Sequence, residues 1–141
     1  MQFVDDFVLS KANFITRATE KLRIRKDIER IKYRSEEELY SVVVDICMRV
    51  YPYYEGLGIE YPHIRIRNMV SRWGSCHTVK NIITLNTYLI YAPIECVEYV
   101  ILHEFTHFLQ ANHSAKFYEE LSKVCPDWKR RRKQLNEIVI R

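Results

Sequence analysis

The stretch "HEFTHFLQANH", residues 103–113, holds three of the chain's five histidines, with a glutamate beside the first. His103 and His107 are four residues apart. On a helix that spacing is about 40° of rotation, so both rings project from one face and can hold one metal ion with little strain. Glu104 is rotated by about 100° from His103 and is poorly placed as a third ligand on that face. It can instead reach a water on the open side of a metal. This is the physical content of H-E-x-x-H: two neutral imidazoles bind Zn²⁺, and the glutamate takes a proton from the water. His113 follows six residues after His107, and on a continuing helix it would point roughly 120° away. It converges with the pair if the helix ends near Gln110 and the chain turns. Asn112 tolerates a left-handed conformation at such a turn, and Ser114 can cap the next helix. Three histidines then supply three of four tetrahedral positions.

The surrounding helix has a matching pattern. Val97, Ile101, Leu102, Phe105, Phe108 and Leu109 fall on one broad side, which is expected to face the core. His103 and His107 fall on the other with Tyr99, Thr106 and Gln110, towards a cleft. The competing explanation is a chance pentapeptide with structural histidines. The third histidine and the face assignment both weigh against it.

Moving outward, "LYSVVVDICMRVYPYY" reads as a buried helix stopped around Pro52. Ser35 and Glu38 form a capping box at its start. Residues 11–34 are charged and read as a further helix. "YEGLGIEYP" is a turn region with two of the three glycines. "HIRIRNMV" alternates Ile64 and Ile66 with Arg65 and Arg67, the pattern of a half-buried strand. "NIITLN", residues 81–86, is a second β-branched run, and "SRWGSCHTVK" between them predicts a hairpin or short meander. Pro93 suits the first turn of the histidine helix. Two more helices are expected, near Ser114 and Pro126. The order of elements is α+β.

The chain has 141 residues, 48% of them hydrophobic, which suits a single domain over 1–141: a helical N-terminal part (1–60) and a core (61–141). No apolar run is long enough for a membrane span. The N-terminus "MQFVDDFVLS" is acidic and does not read as a signal peptide. Cys47, Cys76, Cys96 and Cys125 lie far apart and form no C-x-x-C pair, so reduced thiols and a cytoplasmic location are expected. A net charge of +4 and a pI near 8.9 are compatible with nucleic acid but are not evidence for it.

Together, "RWGSC" (72–76), "IITLN" (82–86), "PIECVEYVILHEFTH" (93–107), "NHSAKFYEEL" (112–121) and "CPDWKRRRKQL" (125–135) resemble the YgjP-like zinc metallopeptidases, relatives of SprT-type and other zincin folds. The resemblance covers about residues 60–137. It implies that His103, His107 and His113 bind zinc and that Glu104 is the general base. It also implies a zincin-like fold with the metal helix packed on a small sheet, and a peptide or protein substrate. The histidine spacing also matches metzincins, but Gln110 stands where those enzymes place a glycine. The family usually carries a β-rich N-terminal extension, whereas residues 1–60 here read as mostly helical.

The remaining features have modest readings. Cys76 is a candidate metal contact but reads better as apolar filler behind Trp73. Arg72 is a candidate for orienting a carboxylate or substrate carbonyl, an ordinary salt bridge being the plainer role. Residues 81–86 are the candidate edge strand for an extended peptide. Tyr88, Tyr91, Tyr99 and Tyr118 are candidate oxyanion donors. "KRRRK", residues 129–133, is either a phosphate contact or a solvated helix face. The leading expectation is a zinc-dependent metallopeptidase. A nucleic-acid-associated or regulatory module with a structural zinc is the alternative, and a component of a larger assembly is a third.

Overall fold

The structure, a computed structural model, describes residues 31–138. In order these residues form α1 (Glu36–Glu55), β1 (His63–Arg67), β2 (Gly74–His77), β3 (Ile82–Asn86), a 3-10 segment (Thr87–Tyr91), α2 (Ile94–Thr106), α3 (Ala115–Val124) and α4 (Trp128–Asn136). The fold is α+β, as expected. Most of the helix expected over 11–34 lies outside the described residues, and 31–34 are not helical.

α1 starts as its sequence dictates. The Ser35 hydroxyl accepts from Glu38 N at 3.0 Å, and the Glu38 carboxylate accepts from Ser35 N at 2.7 Å. Glu36, Glu37 and Glu38 place negative charge at the positive end of the helix dipole. The helix does not stop at Pro52 but carries it inside and ends at Gly56. A proline there removes one backbone bond and costs about 3 kcal/mol. The last turn is held instead by Tyr54, which is fully buried and stacks on Phe105 at 5.0 Å. The Tyr54 hydroxyl also lies 3.1 Å from Thr106 Oγ1.

The sheet corrects two expectations. Its order is β1-β3-β2, with β1 parallel and β2 antiparallel to β3. Only β2 and β3 form a hairpin, closed through Asn81 in the left-handed region (φ 59). β1 alternates as read, its arginines exposed and its isoleucines half-buried, but alternation reports a face and not a partner. The strand at residues 81–86 is therefore central and not an edge. Ile83 to Asn86 are buried without a break, which is how a strand covered on both faces looks.

α2 is the axis of the molecule. It packs on α1, α3, α4, β2 and β3. Every residue from Cys96 to Thr106 is buried except Glu98. The two-sided reading of this helix is thus corrected: Tyr99, His103 and Thr106 are as enclosed as Val97 and Phe105. The histidine face is covered by α3.

Candidate metal centre

α2 ends at Thr106, earlier than Gln110. The chain then tightens: Phe108 N donates to Phe105 O, and Leu109 N and Gln110 N both donate to Thr106 O at 2.9 and 3.0 Å. Asn112 does not take the left-handed conformation, since Asn81 alone does so among the described non-glycine residues. Ser114 then starts α3, its hydroxyl accepting from Phe117 N. This short turn brings His113 back over α2. Ligand atoms of His103, His107 and His113 all lie within 4.8 Å of one another. The Nε2 atoms of His103 and His113 are 2.9 Å apart.

The donor set suits a divalent metal. His107 Nδ1 is 3.2 Å from the Gln110 carbonyl oxygen, which can only accept. Nδ1 therefore carries the proton and Nε2 keeps its lone pair for a metal. The His103 imidazole is held well below its ordinary pKa by burial first, then by His107 and His113. Neutral imidazoles are what a transition metal binds.

Glu104 is buried beside this cluster and is not part of it. Burial pushes its carboxyl up to about 8, and the Arg72 charge opposes the rise. The segment carrying Arg72 is fixed by Asn86, a residue that sequence reasoning treated only as the end of a strand. Asn86 is fully buried. Its Oδ1 accepts from Tyr88 N at 3.0 Å and Met69 N at 3.4 Å, and its Nδ2 donates to Arg72 O at 2.7 Å and Met69 O at 3.1 Å. An asparagine between a strand and a helical turn was the available signal. Two residues past Arg72, Gly74 lets β2 approach α2 closely.

Cys76 is half-buried and outside the converging group. Burial first, then Glu104, pushes its thiol up, so it stays protonated. Of the four tyrosines, Tyr99 lies edge-on to His103 (5.9 Å), while Tyr118 is 6.2 Å from His113 and stacks on Trp128 at 4.6 Å. Tyr88 and Tyr91 pair with each other at 5.4 Å.

The basic run is neither a bare phosphate patch nor a plain solvated face. Arg131 reaches Glu98 at 2.9 Å and Asp127 at 3.0 Å, and Arg130 reaches Asp127 and Glu95. Arg132 lies over the Trp128 ring at 5.0 Å and Lys129 at 5.6 Å. The Arg130–Glu95 and Arg131–Glu98 pairs tie α4 to α2, and the contacts with Asp127 and Trp128 are local to α4.

A helix with His103 in its last turn and His107 at its cap, a third histidine returning from a turn, and a small mixed sheet behind them make up an α+β domain with a candidate metal centre. The YgjP-like, metallopeptidase domain model matches residues 41–138, and the chain belongs to that family. Two solved structures are similar to it. One is the crystal structure of the metallopeptidase zymogen of Methanocaldococcus jannaschii jannalysin (24% identity, 70% of this chain and 93% of that one, TM-score 0.53). The other is that of Pyrococcus abyssi abylysin, also a metallopeptidase zymogen (26% identity, 67% and 89%, TM-score 0.53). No curated protein matches the chain. Among the described residues no helix is long and apolar enough to cross a membrane.

Proposed function

We propose that this chain is a zinc-dependent peptidase in which His103, His107 and His113 hold one zinc ion and Glu104 is the general base. The observation that carries the reading is the convergence of three imidazoles within 4.8 Å with a buried carboxylate beside them, in a chain of metallopeptidase family. When bound, zinc supplies a Lewis acid for the scissile carbonyl and makes water a competent nucleophile near neutral pH. Glu104 accepts the proton of the attacking water and delivers it to the leaving amine. Burial favours the protonated carboxyl that delivers the proton, while the Arg72 charge, and a divalent ion if bound beside it, would favour the ionised form that accepts one. Arg72 keeps the rise in check.

Substrate is taken as an extended peptide along β2. Among the described residues β2 has a strand partner on one side only, and Gly74 at its start lies against Glu104. All four cysteines are free, which accords with a reducing compartment such as the cytoplasm.

The test is metal content together with activity. Purified protein is expected to carry about one zinc per chain. A chelator should abolish cleavage of an unfolded protein substrate, and zinc should restore it. Protein refolded with zinc that binds none would sink the reading.

A further inference from the structure

One side chain touches every member of the histidine cluster and has no part in the chemistry above. Phe117 is fully buried in the first turn of α3. Its ring centroid is 4.8 Å from His103, 4.7 Å from His107 and 4.9 Å from His113. The imidazoles are themselves 5.0 Å (His103–His107), 4.9 Å (His103–His113) and 4.7 Å (His107–His113) apart. All six separations are nearly equal, so the four rings stand at the corners of an almost regular tetrahedron. The local sequence fixes this. The Ser114 hydroxyl that caps α3 accepts from Phe117 N, so the turn that returns His113 also sets Phe117. Tyr118 packs edge-on against Phe117 at 5.1 Å and stacks in turn on Trp128.

We infer that Phe117 is a positioning residue for the metal site: its ring closes one face of the histidine triangle, holds the three imidazoles in their converging orientations and leaves the opposite face alone for exchangeable ligands. This rests on the reading of the triad as a metal site. Holding three imidazoles in one converging arrangement costs side-chain entropy that a metal offsets only once it is bound. Something else must fix their rotamers beforehand. Gln110 O contributes to this for His107, and the Nε2 atoms of His103 and His113, 2.9 Å apart, constrain each other. A flat ring in van der Waals contact with all three does it for the set. The same ring fills space from which water would otherwise reach the ligands. An aliphatic replacement keeps apolar character but loses the broad face, so ligand orientations spread and water enters.

The experiment uses the full chain, freed of metal and titrated with Co²⁺, whose d–d absorption reports coordination number. The wild type is compared with Phe117→Leu and Phe117→Met, so that one misfolded variant does not end the test. Leu121→Ala is the control, because Leu121 is equally buried one turn further along α3. Both Phe117 variants are expected to bind Co²⁺ about 10–100-fold more weakly, the usual cost of losing a partner behind a ligand. Their spectra should shift towards the weaker absorption of higher coordination. Leu121→Ala should lower thermal stability yet keep the wild-type affinity and spectrum. Wild-type affinity and spectrum in both Phe117 variants would overturn the inference while leaving the metal site standing. So would an equal loss in Leu121→Ala, which would make the effect one of general packing. A wild type that binds no Co²⁺ would overturn the metal reading itself, and this inference with it.

Discussion

Gly74 lies directly against Glu104: a Cβ on Gly74 would stand 3.3 Å from both Cγ and Oε2 of the glutamate, and 3.0 Å from Val100 Cγ1. The glycine is required here for space and not for its backbone angles, since its φ is not positive. All the neighbours are buried, so an added methyl must displace them. Gly74→Ala is expected to cost about 1–3 kcal/mol of stability as overpacking. It should also lower kcat by up to ~10²-fold through displacement of the carboxylate. Zinc content should stay at the wild-type level, because the histidines are not in the path of the new methyl. Steady-state kinetics and metal analysis on one preparation check this, and unchanged kcat would show that the carboxylate position is not limiting.

His113→Ala tests the proposed third ligand. His113 sits past the end of α2 and before the cap of α3, so removing its ring spares both helices. Zinc affinity is expected to fall by more than the ~10–100-fold seen for losing a partner behind a ligand. Circular dichroism of the metal-free protein should be nearly unchanged. Undiminished affinity, measured by competition with a chromophoric chelator, would place the third ligand elsewhere.

The site was more legible in the sequence than the sheet was. The histidine spacing, the capping box at Ser35 and the cap at Ser114 are local patterns, and local patterns survive folding. The pairing of β1 with β3 is a relation between distant segments, and Ile64 and Ile66 show which face is buried without naming the neighbour. The lack of apolar/charged alternation in "IITLN" was a signal for a central strand. Pro52 was misread because its penalty is local while its compensation, Tyr54 against Phe105 and Thr106, is tertiary. The two faces of α2 differ in hydropathy but not in burial, because α3 and its aromatic residues cover the polar side. Arg130 and Arg131 looked solvated because their partners Glu95 and Glu98 lie on another helix.

Those ion pairs predict an acid-sensitive attachment of α4. Burial alone would raise the Glu98 carboxyl, but hydrogen bonds from Arg49 and Arg131 outweigh it and hold it below its ordinary value. Asp127 is likewise held low by Arg130 and Arg131 against burial. A carboxylate whose folded pKa is depressed contributes stability above its unfolded pKa of about 4 and loses it as pH falls through the folded value. Thermal stability is therefore expected to drop as pH falls below about 4. Glu98→Gln should be less stable at neutral pH and show a smaller acid-induced drop. A variant with the same acid profile as the wild type would mean that Glu98 contributes nothing to docking α4.

Glu104→Gln separates an enzyme from a structural zinc module. Glu104 is buried beside the histidine cluster and outside it, so it is not expected to ligate. Glutamine keeps the size and most of the hydrogen bonding while removing the basic carboxylate. Because burial disfavours the ionised form of Glu104, a neutral amide should be tolerated and the fold should be at least as stable as the wild type. Zinc should be retained and hydrolysis of an extended peptide should fall by the ~10²–10⁴-fold that general-base catalysis contributes. Loss of zinc in this variant would make Glu104 a ligand and redraw the site. Full activity with zinc retained would move the base to another residue, for which no other carboxylate is buried among the described residues.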